Sequence, residues 1–497
     1  MKRLEIFLLF LVLVISLLVR LYKIDRPIAD WHSWRQADTA AVARNFIKEG
    51  FNPFVPRYDD MSTQTNGRDN PERYRFVEFP IYNTLVAAVW SQTGIGDIYA
   101  RLVTVVITVG STTLLYFLVK HFSDIKTALF ASFFFATIPY NVFYSTTILP
   151  GPFMVFCLLA TYLSFAKWME KAEDPVIDPE LSRREQSRRN NNKILMILSI
   201  VFANLAILSW PIALFFMIPL VYLAYDKYGI GMFKNPSLWI FAVSSLVPFI
   251  AWRLWIARFP EGIPNWQFLI NENNIRFKGS FFRWILAERM GKLILTVTGS
   301  FLFLLGIVRK SEHKEKLFYY FWLFSGFAYI STFASGNVRH DYYQVPIIPI
   351  ASVFMAIGAR TLFSPPNTFV NKYLGKAILL FLIIFMFAFG YFEIRGYYWI
   401  NKPQIIEAGH ATDRLLPKDV TVIAPYNGDT AFLYQTNRYG YPITDRSLEK
   451  FIEQGTKYLV SVDVNDAGIQ NLAKHCKVID QTKNYVIVEM FKECIGK

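Results

Sequence analysis

Long apolar runs separated by short polar segments dominate the chain. A membrane-spanning helix needs about 20 apolar residues. The pattern therefore predicts an all-α polytopic membrane protein with about eleven transmembrane helices. The first run follows Met1-Lys2-Arg3, is too long for the core of a signal peptide and has no small-residue cleavage site after it, so we interpret it as a retained helix. The predicted spans lie at residues 4–21, 99–119, 127–144, 152–165, 194–209, 212–225, 238–257, 293–308, 317–333, 345–362 and 377–392.

The distribution of basic residues predicts the orientation of these spans. With the N-terminus in the cytoplasm, the basic clusters fall in cytoplasmic loops, above all RREQSRRNNNK at residues 183–193. The short outer loops 145–151 and 334–344 are nearly free of Lys and Arg, as the positive-inside rule requires. This assignment of loops to the two sides of the membrane holds only if residues 79–95 form an amphipathic helix in the outer interface and do not cross the membrane. The predicted cytoplasmic loops are 120–126, 167–193, 226–236, 309–316 and 364–376.

Three regions then project from the outer side of the membrane, at residues 24–98, 258–292 and 393–497. In the last region VTVIAPY, KYLVSVDV and YVIVEMF have the pattern of buried strands, and SLEKFIEQG has that of a helix. We therefore predict a transmembrane domain at 1–392, which includes the first outer loop 24–98, and a small extracytoplasmic α/β domain at 393–497.

Composition agrees with a membrane protein and narrows the chemistry. Only 18% of the residues are charged, against about 25% in soluble domains. The net charge of +14 comes from loop clusters, which we interpret as orientation signals and phosphate partners, not as a nucleic-acid surface. Cys476 and Cys494 can pair if their compartment is oxidising, whereas Cys157 lies in an apolar run. Scattered histidines and the lack of a nucleotide-binding motif lead us to expect no metal, no cofactor and no nucleic acid.

The first outer loop holds most of the acidic candidates. Asp38 stands at the start of a predicted helix, so it is either a helix cap or a catalytic carboxylate, and the two roles are compatible. Asp30 is a second acidic candidate nearby, and Arg73 and Arg75 are interpreted as a solvated face. Glu78 directly precedes the interfacial helix, where an acidic group is costly unless it pairs or acts.

A second polar group, GNVRHDYYQVPIIPIA, lies at the outer end of a late span. Arg339 and His340 are natural partners for a lipid phosphate in a loop that is otherwise poor in charge. The same residues, with Tyr342 and Tyr343, also suit snorkelling side chains and an interfacial aromatic belt. Both interpretations remain open at this point. The predicted spans hold few charges away from their ends, which argues against an ion-coupled transporter.

These features together resemble the GT-C superfamily of membrane glycosyltransferases over roughly residues 1–392. The HSWRQADTA-type first loop is similar to the branch of protein O-mannosyltransferases and lipid A aminoarabinose transferases. The resemblance implies transfer of a sugar, with inversion, from a polyprenyl-phosphate carrier to an acceptor hydroxyl on the outer face. The acceptor is a glycolipid, a cell-envelope polysaccharide or a protein, and the C-terminal domain is a candidate for binding it by position alone.

The resemblance also implies roles for individual residues. Asp38 is the general base and Asp30 its alternative. Glu78-Phe79-Pro80 stands where related enzymes have an acidic residue, a lysine and a proline, so Glu78 is a third acidic candidate and Phe79 replaces the lysine. The implied ligands of the carrier phosphate are Arg35, Arg44, Arg339 and His340, with Tyr342 and Tyr343 framing the site.

Two rival functions are weighed against this one. A polysaccharide polymerase or ligase would use pyrophosphate-linked oligosaccharides and a large late outer loop, whereas the long loop here is the first. A lipid-carrier flippase or transporter would need buried charges along its helices, and the predicted spans have few.

Overall fold

The computed structural model of the protein describes residues 2–171, 183–309, 316–365 and 371–495. The predicted cytoplasmic loops 167–193, 309–316 and 364–376 each include positions outside these ranges. The α-helices up to residue 394 are α1 (Lys2–Val19), α2 (Ser33–Lys48), α3 (Ile81–Thr93), α4 (Asp97–Phe122), α5 (Ile125–Thr137), α6 (Pro139–Tyr144), α7 (Gly151–Lys171), α8 (Arg183–Ser209), α9 (Ile218–Tyr228), α10 (Pro236–Ile256), α11 (Phe268–Asn271), α12 (Gly279–Phe282), α13 (Gly299–Val308), α14 (Lys316–Thr332), α15 (Ala334–Arg339), α16 (Ile348–Phe363) and α17 (Lys372–Ile394). Helical turns of other types lie at Pro211–Met217, Arg283–Ile294 and Asp341–Ile347.

Each predicted span coincides with helical structure, but the count of about eleven is not confirmed. Within the described residues, seven helices are long and apolar enough to cross a membrane, or eight if the bent pair Gly279–Ile294 and Gly299–Val308 forms one span. The run 127–144 is divided between α5 and α6, of 13 and 6 residues. Pro139 starts α6 because proline has no backbone N–H to continue the preceding helix. The fold is that of a mainly helical, multi-pass membrane protein.

The C-terminal region forms the predicted small α/β unit. Its five strands have the order β2-β1-β3-β5-β4, with β2, β1 and β3 parallel and β5 antiparallel to its neighbours. The three predicted strands correspond to β1, β3 and β5, and the predicted helix to α20. Strands β2 and β4 were missed because β2 has two residues and β4 is largely exposed. The elements are α18 (Gln404–Leu415), β1 (Val422–Ile423), α19 (Ala431–Thr436), β2 (Gly440–Tyr441), α20 (Leu448–Glu453), β3 (Tyr458–Ser461), α21 (Ala467–His475), β4 (Lys477–Gln481) and β5 (Val486–Glu489).

Cys476 and Cys494 form a disulfide within this unit, with Cα atoms 5.0 Å apart. The pairing that the sequence left open is therefore present. Both cysteines are buried in a small apolar cluster that also contains residues of β3 and β5. Cys157 is a free, buried cysteine of α7.

Residues 24–98, for which we keep the name first outer loop from the prediction, and the C-terminal sheet are joined by backbone hydrogen bonds. Gly440 donates to the carbonyl of Asp59 over 3.0 Å, and Met61 donates to the carbonyl of Gly440 over 2.8 Å. Residues 59–61 thus pair with the edge of the sheet at β2. Gly440 is required there because a Cβ would lie 1.8 Å from the carbonyl oxygen of Val422.

Candidate functional site

A cavity of about 530 Å³ lies where the first outer loop, several apolar helices and the C-terminal unit meet. Pockets of this size hold small ligands or the reacting parts of larger ones. Its lining divides into two walls, which we name by their origin. The helix-side wall consists of Trp210, Ile212, Phe249, Arg253, Tyr329 and Phe333. The loop-side wall includes Trp34, Arg35, Asp38, Asp60, Gln64, Thr65, Arg75, Asn265, Trp266 and Thr430.

Asp38 is buried, with 3% of its surface exposed, and it faces this cavity. Its Oδ2 pairs with Arg75 at 2.6 Å, and its Oδ1 accepts a hydrogen bond of 2.6 Å from the Thr430 hydroxyl. The same hydroxyl lies 3.1 Å from the carbonyl oxygen of Trp34, so the contact to Asp38 is the closer one. Each carboxylate oxygen keeps a free lone pair, because an ionised carboxylate accepts about four hydrogen bonds.

The predicted cap role of Asp38 is wrong. Helix α2 begins at Ser33, and its cap position is His32, so Asp38 lies in the second turn. The helix continues back past Asp38 because α2 is buried over most of its length and packs against α3 and α19. Tertiary packing therefore sets its start, and not the local cap signal.

The interpretation of Arg73 and Arg75 as one solvated face is also wrong. The side chain of Arg75 is 11% exposed and is paired with Asp38. Arg73 instead forms an ion pair with Glu49 at 2.9 Å, away from the cavity. The two arginines diverge because Arg73 has a left-handed backbone, with φ of 60°, which interrupts the regular alternation of an extended chain.

Glu78 and Arg35 form a buried, two-pronged ion pair, with Arg35 Nη2 at 2.7 Å and 2.8 Å from the two carboxylate oxygens. Burial opposes the charge on Arg35, but Glu78, Tyr342 and Asp38 outweigh it and raise the pKa of the guanidinium. Arg35 lines the cavity and keeps its charge, which Glu78 balances. Glu78 is therefore occupied as the partner of Arg35.

Asp30 and Arg44 lie outside the lining of the cavity. Asp30 pairs with Arg26 and accepts a hydrogen bond of 2.8 Å from Gln36. Arg44 pairs with Asp59 and donates to the Tyr434 carbonyl over 3.0 Å. These contacts hold α2 against neighbouring elements. The geometry does not bring either residue to the same cavity wall as Asp38.

The late segment reaches the cavity with three of its four predicted residues: His340, Tyr342 and Tyr343. Burial, followed by the nearby His32, lowers the pKa of His340 to about 4. At neutral pH the imidazole is therefore uncharged, and it offers hydrogen bonds instead of a positive charge. Arg339 does not line the cavity; its half-exposed side chain forms an ion pair with Glu272 at the protein surface.

Arg253, near the end of α10, is a cavity residue that the sequence analysis missed. Among the described residues it has no hydrogen-bond or ion-pair partner, in contrast to Arg35 and Arg75. An arginine inside an apolar run was the available signal, because such a residue is costly in a membrane unless it serves a site.

A second missed feature ties the late segment to the first loop. His32 donates or accepts a hydrogen bond of 2.6 Å with the buried carboxylate of Asp341. The same carboxylate accepts from Tyr144 at 2.5 Å and from the Trp31 indole at 3.1 Å. His32 has a left-handed backbone with φ of 54°, a strained state that surrounding contacts must maintain.

The described residues contain no group of three or more His, Cys, Asp or Glu side chains arranged to hold a metal ion. The lining of the cavity supplies carboxylates, guanidinium groups, an imidazole, hydroxyls and apolar side chains. This set can accept a proton, neutralise an anion and hold an apolar chain between the helices.

Comparison with known proteins agrees with this set. Residues 10–228 match the family of dolichyl-phosphate-mannose-protein mannosyltransferases. This match contains the first outer loop and covers less than half of the chain. No curated protein matches the sequence significantly.

Solved structures resemble the whole fold. A crystal structure of ArnT from Cupriavidus metallidurans bound to undecaprenyl phosphate is 15% identical, with a TM-score of 0.64, covering 98% of this chain and 99% of that one. The archaeal oligosaccharyltransferase AglB from Archaeoglobus fulgidus, in complex with an inhibitory peptide and a dolichol-phosphate, is 12% identical. Its TM-score is 0.58, and the match covers 98% of this chain and 74% of that one.

The fold and the family match define the class of protein. The chain has the fold of the GT-C membrane glycosyltransferases, as the resemblance in the sequence predicted. The prediction that it is a glycosyltransferase is confirmed by the match to the mannosyltransferase family over residues 10–228.

Proposed function

We propose that the protein transfers a sugar from a polyprenyl-phosphate carrier to an acceptor hydroxyl, with inversion, on the outer face of the membrane. One observation carries this proposal. One cavity combines two walls. Its mainly apolar helix-side wall includes an arginine, Arg253, for which the described residues supply no partner, and its loop-side wall includes a buried carboxylate. A lipid-linked phosphate and a reacting hydroxyl need these two surroundings side by side.

Arg253 is the proposed partner of the carrier phosphate. It lines the same cavity as Trp210, Ile212 and Phe249, which suit a polyprenyl chain. Its charge is uncommitted, whereas that of Arg35 is balanced by Glu78. Neutralising the phosphate makes it a better leaving group, so no strong general acid is required. His340 contributes hydrogen bonds, and Tyr342 and Tyr343 frame the phosphate.

Asp38 is the proposed general base. In the transfer, the acceptor oxygen forms a bond to the anomeric carbon while the bond from that carbon to the phosphate oxygen breaks. Asp38 takes the hydroxyl proton, and the bond electrons leave with the phosphate. Attack opposite to the leaving group inverts the anomeric configuration. Arg75 and Thr430 fix the orientation of the carboxylate, which limits the motion needed to reach the transition state.

The outer location of the site is supported by two features. The disulfide of the C-terminal unit is typical of an oxidising compartment outside the cytoplasm. The basic clusters of the sequence fall on the opposite side in the predicted assignment of loops to the two sides of the membrane. A protease-sensitive tag after residue 497 should be cleaved in intact spheroplasts, and a tag before residue 2 only after lysis. The reverse pattern would place the site in the cytoplasm.

The proposal is tested with purified protein in lipid vesicles, offered a panel of polyprenyl-phosphate sugars. Release of free polyprenyl phosphate is the readout. We expect Asp38→Asn to abolish release while donor binding persists, with some loss of thermal stability because Arg75 loses its anion. Asp30→Asn should also lower thermal stability, because Asp30 is the buried partner of Arg26. Release per folded protein should nevertheless stay within a few-fold, because Asp30 lies outside the lining of the cavity. Full release by the Asp38 variant would remove Asp38 from the role of base.

A matched arginine pair tests the phosphate site. Arg253→Gln should weaken donor binding by about tenfold or more, the usual effect of losing a charge-assisted contact. Arg258→Gln is the control, because Arg258 is exposed and its guanidinium lies over Trp255, 4.0 Å from the ring centroid. Equal affinity of the two variants for the donor would contradict the assignment.

A further inference from the structure

A second carboxylate, Asp60, lines the loop-side wall and is not used in the mechanism above. It is 2% exposed. Its Oδ1 accepts a hydrogen bond of 2.7 Å from the backbone of Ser62, and its Oδ2 one of 3.2 Å from the Tyr58 hydroxyl. Among the described residues Asp60 has no ion-pair partner, whereas Asp38 has Arg75. A buried carboxylate with two neutral donors still needs further donors to offset its lost hydration.

The residues around Asp60 on this wall are hydrogen-bonding but mostly uncharged: Gln64, Thr65 and Asn265. The side-chain amide nitrogen of Asn265 has no partner among the described residues, whereas its backbone N–H donates to the Thr65 carbonyl over 3.2 Å. Trp34 and Trp266 add two indole rings to the same wall, and Trp266 is about half exposed. Carboxylate, amide and indole groups together suit a ligand that has many hydroxyls on one side and an apolar ring face on another.

The charges of this wall argue against an anionic acceptor. Its two cations among the described lining residues are both paired, Arg35 with Glu78 and Arg75 with Asp38. Asp60 adds a negative charge, and burial, reinforced by the charge of Asp38, raises the pKa of Asp60 to about 6 despite the hydrogen bonds from Ser62. A carboxylate or phosphate on the acceptor would meet repulsion here.

The backbone next to the cavity argues against a peptide acceptor. An extended peptide usually binds by adding a strand to an open sheet edge. The sheet edge nearest to Asp60 is β2, and residues 59–61 of the first loop already occupy it through Gly440. That edge has no free ladder for an incoming chain.

We propose that the loop-side wall is the acceptor site and that it takes a neutral, polyhydroxylated sugar. Asp60 accepts hydrogen bonds from hydroxyls next to the one that attacks, and Trp34 and Trp266 contact the faces of the sugar rings. This proposal rests on the transferase function proposed above and specifies its acceptor class. Asp60 is a binding residue in this scheme, and Asp38 remains the base.

The experiment compares wild type, Asp60→Asn and the control Asp69→Asn, whose exposed carboxylate pairs with Arg446 away from the cavity. The protein in lipid vesicles is given a carrier-linked sugar that it turns over, together with neutral oligosaccharides, uronic-acid oligosaccharides or peptides that contain serine and threonine. We expect wild type to glycosylate the neutral sugars. Asp60→Asn should raise the acceptor KM by about tenfold, as for loss of hydrogen bonds to a charged group. Its kcat should fall by much less than its KM rises, and the control Asp69→Asn should keep both values within a few-fold of wild type.

The opposite pattern would overturn the assignment: an unchanged KM with a collapsed kcat would make Asp60 part of the proton transfer. Transfer to peptides but not to sugars would overturn the acceptor class. Calorimetric binding of a neutral oligosaccharide to wild type, weakened in Asp60→Asn and kept in Asp69→Asn, tests the site without any turnover. If no donor is turned over but this binding is seen, the transferase function fails and the sugar site stands.

Discussion

Thr430 of the C-terminal unit donates a hydrogen bond of 2.6 Å to Asp38 of the first outer loop, across a sequence separation of 392 residues. The preceding residue, Asp429, accepts a hydrogen bond of 2.7 Å from Ser33 at the start of α2. The C-terminal unit therefore completes the surroundings of the candidate base. Its pairing with residues 59–61 fixes the same loop a second time. Although the predicted domain boundary lies at residue 392, the C-terminal unit contributes Thr430 to the lining of the cavity.

Thr430→Val should lower kcat by roughly tenfold or more, because a hydrogen bond to a charged group contributes about 1.5–3 kcal/mol. The change keeps the shape of the side chain and removes the donor to Asp38. Turnover of the polyprenyl-phosphate donor that wild type uses best is the measurement. Thr430→Ser keeps the hydroxyl and should retain most of the activity. A fully active Val variant would show that Thr430 does not position Asp38.

Arg75→Gln should lose at least about a hundredfold in turnover and also destabilise the fold, because it leaves Asp38 buried without its cation; breaking such pairs typically costs about 3–5 kcal/mol. Arg73→Gln is the matched control, two residues earlier. Its ion pair with Glu49 is outside the cavity. Both turnover and the midpoint of thermal unfolding are measured in detergent. Similar losses in the two variants would argue for a general effect on the loop.

Glu78→Gln tests whether Glu78 is a partner of Arg35 or a catalytic acid. The buried ion pair predicts a loss of about 3–5 kcal/mol of stability from the single change. In the double variant with Arg35→Met, the remaining loss should be smaller than the sum of the two single losses, since no unpaired charge is left. Additive losses in this cycle would mean that the pair is not coupled. Normal stability with abolished turnover would restore Glu78 as a candidate base.

The helical runs were predictable because a chain in the membrane must satisfy its backbone hydrogen bonds internally, which forces long apolar helices. Three strands and one helix of the C-terminal unit were predictable from short apolar patterns. Asp38 was found through the resemblance of the first loop. These features are local, and a single sequence records local periodicity well.

The partners of Asp38 were not predictable, because Thr430 is distant in sequence and Arg75 looked like a surface residue. The same holds for Asp341, whose contact with His32 spans 309 residues. Arg253 was visible as an arginine in an apolar run, but only the fold shows that it lines the cavity and that no described residue pairs with it. Long-range pairing depends on packing, about which periodicity says nothing.

Loss of the Cys476–Cys494 disulfide should destabilise the C-terminal unit by about 3 kcal/mol, the usual effect for a loop of this length, given the separation of 18 residues. The Cys476→Ser, Cys494→Ser variant is compared with wild type by thermal unfolding, and with the reduced wild type. Because this unit supplies Thr430, turnover should fall at a lower temperature than in wild type. A Cys157→Ser variant is the control. Equal unfolding midpoints for the oxidised and reduced protein would show that the bond does not stabilise the unit.

The pH dependence of stability should carry the signature of Asp60. Its pKa is raised from an ordinary 3.8 to about 6 by burial and by the charge of Asp38. The folded state therefore binds the proton more tightly than the unfolded state. The contribution of Asp60 to the free energy of unfolding is therefore complete below about pH 4 and is lost as the pH rises through about 6. The difference amounts to about 3 kcal/mol at pH 8.

Asp60→Asn should remove this component, so the variant should unfold at a higher temperature than wild type at pH 8, with the difference in unfolding temperature closing at pH 4. Other carboxylates titrate in both proteins and cancel in the comparison. Two outcomes would contradict this prediction: a difference in unfolding temperature that does not depend on pH, and a variant that is less stable than wild type at pH 8. Either would mean that the folded protein stabilises the charged form of Asp60 more than the hydrogen bonds from Ser62 and Tyr58 can account for.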